Sequence, residues 1–210
     1  MGRGRLGGGG RDTDRLEAFS DGVIAIAITL LVLEVRVPEH ASVGSSGELW
    51  RELARRWPAY LGYLISFVTI GIMWANHHHI FRYIARTDHY LVLSNILFLL
   101  CVGFLPFPTA LLTEYLGHAG ERTAGIVYSG WFFVTALAYN LLWRYPSHGQ
   151  RLIAADADLR VVASITRRFN LGPPSYLLAF VLSFFSTIAS LVLLLLLALL
   201  SVLPNADADR

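Results

Sequence analysis

Asp21 stands two turns into the first apolar stretch of the chain, counted from Asp14. An ionisable side chain at such a place is costly in lipid, and is ordinarily paired and functional. Its partners can be sought by depth. A second apolar stretch ends in Trp74, Asn76, His77, His78 and His79, and a third begins with Asp88, His89, Ser94 and Asn95. If the stretches cross a membrane in turn, these residues share one level with Arg15, Ser20 and Asp21. An acid, an arginine, imidazoles, an indole and an amide at one depth point to a hydrogen-bonded network between helices.

Two sharper chemistries compete with that reading. Imidazole and carboxylate are zinc ligands, but the consecutive His77, His78 and His79 point about 100° apart on a helix and cannot share one ion. No H-E-x-x-H spacing occurs either, so no metal and no cofactor are expected. A proton relay through Asp21 and His77 would make the chain a proton-coupled secondary transporter, which stands as the alternative. Broken helices or inverted repeats would favour it. Enzyme chemistry has no foothold: there is no phosphate loop, no G-x-S-x-G turn and no C-x-x-C.

The elements that carry these residues follow from run length, since about 20 mainly apolar residues cross a bilayer. Apolar residues make up 55% of the 210-residue chain, and its mean hydropathy is +0.53. Long apolar runs occur at Phe19–Val37, Ala59–Ala75, Tyr90–Leu112, Gly125–Leu142 and Tyr176–Leu203. The expected organisation is a cytoplasmic disordered head over 1–13, one transmembrane domain over 14–204 and a short tail over 205–210. Asp14 with Glu17 three residues on reads as a helix-start pair, and the basic, glycine-rich beginning leads into an uncleaved span and not a signal peptide. Trp50, Leu53 and Trp57 share a face of a short interfacial helix. Leu159, Val162, Thr166 and Phe169 give a membrane-surface helix, expected to end at Gly172-Pro173-Pro174. The last run would be about 42 Å as one helix, too long for a hydrocarbon core of about 30 Å. Ser183, Ser186, Thr187 and Ser190 mark a break within it. The fold class is therefore all-α, a polytopic membrane protein of six transmembrane helices.

All 17 basic residues are arginine, as in a GC-rich bacterial genome, and the net charge of +2 gives no reason to expect a nucleic-acid partner. With the N-terminus inside, Arg3, Arg5, Arg11, Arg15, Arg82, Arg86, Arg144, Arg151, Arg160, Arg167 and Arg168 fall on the cytoplasmic side. Arg36, Arg51, Arg55, Arg56 and Arg122 fall outside, and eleven against five sets a cytoplasmic N-terminus in the cell membrane. Along the first span, Arg15, Phe19, Gly22, Ile26, Leu30 and Leu33 advance as one narrow stripe, with Thr29 beside it. No arginine ladder runs through any span, which argues against voltage sensing. No TVGYG-like filter loop occurs either.

The string Arg15-Leu-Glu-Ala-Phe19-Ser20-Asp21, continuing through Ile26, Thr29, Leu30 and Leu33, resembles the signature first helix of the transmembrane protein 175 potassium channel family. Trp74-Ala-Asn76-His77-His78 and Leu105-Pro106-Phe107-Pro108-Thr109 resemble further patterns of that family. The resemblance implies a potassium-selective, non-voltage-gated leak channel of single six-helix subunits. It implies a homotetramer in the lipid bilayer, with a central pore lined by the first helix and potassium as the permeant ion. It places rings of Ile26, Leu30 and Leu33 at the constriction and a selectivity-linked hydroxyl at Thr29. It further implies an inter-helix polar network of Arg15, Ser20, Asp21, Trp74, Asn76 and His77, with Phe19 in the motif and His78 adjacent.

Overall fold

The computed structural model describes residues 8–39 and 44–202. The chain enters as α1 (Gly8–Leu30), which tightens into a 3-10 turn over Leu31–Glu34. There follow α2 (Ser46–Arg55), α3 (Trp57–Phe81), α4 (His89–Phe104), α5 (Pro106–Tyr115), α6 (Glu121–Ser147), α7 (Leu159–Ser183) and α8 (Thr187–Val202). Four helical stretches are long and apolar enough to cross a membrane: Asp12–Glu34, Trp57–Phe81, His89–Tyr115 and Glu121–Gln150. With the shorter apolar helix Thr187–Ser201, they make this a multi-pass membrane protein. The strand-like pairing among the described residues is a single antiparallel bridge, Ile84 to Ile153, which pins the α3–α4 loop to the α6–α7 loop.

Local chemistry sets the helix starts. The Ser45 hydroxyl accepts the Glu48 N–H at 3.3 Å while the Glu48 carboxylate accepts the Gly44 N–H at 2.7 Å, closing the entry to α2 from both sides. Pro58 stands in the first turn of α3, where no backbone N–H is missed. Asp88 caps α4 by accepting the Leu91 N–H at 2.9 Å, and its other oxygen accepts the Tyr145 hydroxyl at 2.5 Å. Gly120 opens α6 at φ 101°, where a side chain would also strike the Tyr115 ring 2.9 Å away.

α6 is the post of the bundle. Trp131 donates to the Cys101 carbonyl of α4 at 2.8 Å, Tyr139 to the Met73 carbonyl of α3 at 3.1 Å, and Asn140 to the Phe169 carbonyl of α7 at 2.6 Å. Glycines let its neighbours come close. A Cβ at Gly125 would meet Thr187 of α8 at 2.6 Å, and one at Gly130 would meet Phe180 of α7 at 2.9 Å. A buried hydroxyl triad, Ser66 with Thr109 at 2.8 Å and with Tyr128 at 2.9 Å, ties α3 and α5 to the same post.

Three boundaries differ from the sequence expectations, and a fourth agrees with them. α1 begins at Gly8, so Asp14 lies inside the helix and does not start it; residues 1–7 of the expected head, and the tail, lie outside the described residues. The third span is two helices meeting at Leu105, whose N–H bonds to Val102; the Cys101 carbonyl this leaves free is the one Trp131 satisfies. α7 runs straight through Gly172-Pro173-Pro174, so the expected surface helix does not end there. Pro173 cannot donate to the Phe169 carbonyl, and Asn140 supplies that bond instead. The last apolar run does divide: α7 ends at Ser183, α8 begins at Thr187, and the Ser190 hydroxyl reaches back to the Ala179 carbonyl at 2.7 Å.

Asp88 gives a test of the loop end of the bundle. Burial pulls its carboxyl upward, but the Tyr145 hydroxyl, the Leu91 and Tyr90 N–H groups and the Arg151 guanidinium outweigh it and hold the group below the ordinary carboxylate value. A lowered pKa contributes stability that is present above the ordinary value and lost as pH falls through the lowered one. Asp88→Ala should therefore lower the melting temperature at neutral pH by about 3 °C, the loss of a cap worth about 1 kcal/mol. The difference from wild type should shrink below about pH 4. A melting-temperature gap that stays constant across pH 3–7 would refute it.

Candidate functional site

α1 packs against α3 and α4 and is the least enclosed of the four stretches long and apolar enough to cross a membrane, 22% buried against 44–50% for the other three. Its inward face is Ser20, Ile24, Ala27 and Leu31, each at most 2% exposed. The outward face carries the stripe read from the sequence: Phe19 is 58% exposed, Ile26 61%, Leu30 42% and Leu33, on the 3-10 turn, 66%. Gly22 lies on that face with open space beyond it. The Thr29 hydroxyl is exposed beside Ile26, donating to the Ile26 carbonyl at 2.9 Å. An apolar helix has thus been left with one long uncovered side.

Behind that side the polar residues form three separate linkages. The first is buried and runs one way through three helices. The Asn95 amide N–H donates to Ser20 Oγ at 2.8 Å, and Ser20 in turn donates to the Leu16 carbonyl at 2.8 Å. Because that fixes the Asn95 oxygen as the acceptor end, His77 donates to it through Nε2 at 3.0 Å. The His77 ring lies between Phe81, stacked at 4.3 Å, and Phe98 at 5.8 Å, and its Nδ1 is buried without a partner among the described residues. α1, α3 and α4 are therefore joined at one level by side chains that water does not reach.

The second linkage lies on the exposed flank, where Trp74 Nε1 donates to Asp21 Oδ1 at 2.9 Å. The third stands nearer the helix ends. Arg82 can only donate, so His78 accepts from it through Nε2 at 3.0 Å and donates through Nδ1 to Glu17 at 2.6 Å. Both linkages connect α1 to α3, so three of the four inter-helix contacts just described bear on α1.

The expected network is thereby corrected in membership. Asp21 is partnered by Trp74 and not by Arg15 or His77. Arg15 and Phe19 are exposed, with no hydrogen bond or ion pair to another described residue. Asn76 lies one helical step from His77 and faces away from α1, lining a cavity with Tyr139, Asn140 and Arg168. His77, His78 and His79 meet Asn95, Glu17 and the edge of Tyr83 respectively, three different surroundings. Asn95 is grouped at this level by depth but is absent from the set the resemblance implies, and Glu17 is read from the sequence only as part of a helix-start pair. Both stood at the correct depth, and only the inward face of each helix, unmarked in the sequence, would have singled them out.

Known proteins are similar in sequence and share this fold. The family model described as endosomal/lysosomal potassium channel TMEM175 matches residues 15–106, which is α1 to the start of α5. A potassium channel of Chamaesiphon minutus is 51% identical over 175 residues, 83% of this chain and 86% of that one. The endosomal/lysosomal proton channel TMEM175 of Gallus gallus is 43% identical over 107 residues, 49% of this chain and 21% of that one. Among solved structures, a lysosomal potassium-selective channel TMEM175 homolog from Chamaesiphon minutus superposes with a TM-score of 0.82 at 46% identity, covering 91% of this chain and 96% of its own.

Proposed function

The chain belongs to the TMEM175 potassium channel family, and from that premise we propose that it is one subunit of a potassium-selective, non-voltage-gated leak channel in the cell membrane, and not an enzyme. The observation that carries the pore is the uncovered side of α1. Four copies arranged about an axis would bring Ile26, Leu30 and Leu33 together as successive rings, and the exposed stripe of each copy would face its symmetry mates. Such rings gate by dewetting, and ions pass when they widen. Thr29 places a hydroxyl beside the Ile26 ring. α1, α3, the α4–α5 pair, α6, α7 and α8 make six membrane passages, with the N-terminus in the cytoplasm. The polar linkages through Ser20, Asp21 and Glu17 hold the back of α1 and so set how far the rings can part. No cofactor has a role in this reading.

A relay running directly from Asp21 to His77 loses support, since each is bonded to a different partner. Two measurements test the channel. Protein reconstituted in liposomes should carry potassium down its gradient faster than sodium, with a proton-sensitive dye inside as the third arm. Cysteine in place of Ile26 should crosslink subunits in the membrane. Equal sodium and potassium flux would defeat the selectivity, and a stable monomer in detergent with no crosslink would defeat the pore.

A further inference from the structure

A cavity of about 320 Å³ lies among α3, α6, α7 and α8, on the side of α3 away from α1. Its inner wall is apolar, with Met73, Ile165 and Phe169, and its rim carries Asn76, His79 and Arg168. Among the described residues, no acidic side chain lines it. Arg168 is exposed at the rim and makes no hydrogen bond or ion pair with another described residue. The guanidinium groups of Arg82 and Arg168 are the cations that act on His79. The recess therefore presents uncompensated positive charge at its mouth and hydrocarbon at its back.

Position selects the occupant. The Ile84–Ile153 bridge holds the exit of α3 beside the approach to α7, so His79 and Arg168 share one membrane face. The outer surfaces of α7 and α8 are rows of exposed leucines, among them Leu171, Leu178, Leu196 and Leu200. A small soluble anion would satisfy the arginine and leave the apolar wall unused. We propose that this cavity binds the head of an anionic phospholipid. Its phosphodiester lies against Arg168, its glycerol and first methylenes fill the recess, and its acyl chains follow the leucines of α7 and α8. Basic recesses between membrane helices at headgroup level recognise such lipids by the same combination.

The test uses the full-length protein in detergent, with melting temperature followed as short-chain phosphatidylglycerol is titrated in. Parallel arms use short-chain phosphatidylcholine, oleate and inorganic phosphate. Phosphatidylglycerol should stabilise at lower concentration than the other three. Arg168→Gln should raise its half-saturating concentration about fivefold, the factor one arginine near a membrane surface is worth. Arg160→Gln on the same helix should leave it unchanged. Gly172→Leu gives a second route, because a side chain there meets open space at the cavity wall and should abolish the shift without touching a charge. Equal response to phosphatidylcholine overturns the proposal, as does a match by oleate or by phosphate alone. An undiminished shift in Gly172→Leu overturns it too, even where Arg168→Gln fails to fold.

Discussion

Ile26→Asn is expected to raise basal cation flux at least about tenfold, and the reason lies in what the native side chain does to water. Ile26 is exposed on the uncovered side of α1, and its β-branch restricts it at χ1. Four such side chains across an axis would make a stiff, dry ring that a hydrated ion enters only by shedding water. An amide at each position offers donors and acceptors that hold water in the constriction. Lowering the barrier by about 1.4 kcal/mol already gives the tenfold rise. Backbone placement should survive, because a Cβ one turn earlier at Gly22 meets nothing within 4 Å and the face is unpacked in the subunit. The preference for potassium should fall with it if this ring helps to select. Thr29→Ala in the same liposome assay removes a hydroxyl and leaves the dry ring, so selectivity should weaken with little change in rate. A proton-coupled transporter predicts the opposite ranking, with Asp21 and His77 decisive and Ile26 indifferent. Unaltered flux in a correctly assembled Ile26→Asn protein would end the hydrophobic-gate reading.

The stripe on α1 was legible because two independent signals coincide there. The apolar run is long enough to span, and the 3.6-residue period separates Ile26, Leu30 and Leu33 from Ser20, Ile24, Ala27 and Leu31. α3 offered no such separation. It is apolar on every side, so nothing in its sequence says that His77 faces α1 and α4 while Asn76 faces α7. Depth alone grouped the two, and depth was right for both while the azimuth was wrong for one. The continuity of α7 was illegible for another reason. Pro173 breaks a helix only if the carbonyl it abandons goes unsatisfied, and the group that satisfies Phe169 lies 29 residues earlier, in Asn140. The same holds at Leu105, where the junction of α4 and α5 is completed by Trp131. Local rules state the cost of a break; a donor from another helix decides whether the chain bears it.

Asn95→Leu is expected to be the most destabilising single change in the buried linkage, and His77→Phe should largely reverse it. Asn95 uses both ends of its amide, donating to Ser20 and accepting from His77, so removing it strands an imidazole with no partner at either nitrogen. Hydrogen bonds between membrane helices average only about 0.6 kcal/mol and reach about 1.7. A buried polar group left unsatisfied adds a cost of about 1–3 kcal/mol. The single variant should therefore lose roughly 2–3 kcal/mol, or about 5–10 °C in melting temperature. His77→Phe alone strands the Asn95 oxygen and should cost less, since the new ring keeps its place between Phe81 and Phe98. In the double variant neither stranded group remains. Ser20 still donates to the Leu16 carbonyl, and a leucine packs against an aromatic stack. Two apolar replacements of matched shape can be nearly neutral where each alone is not. The double variant should thus melt within a few degrees of wild type, a coupling of roughly 2 kcal/mol between sites 18 residues apart. The linkage also braces α1 from behind, so Asn95→Leu should alter flux as well as stability. If the two penalties simply add, the Asn95–His77 bond is not what joins these helices.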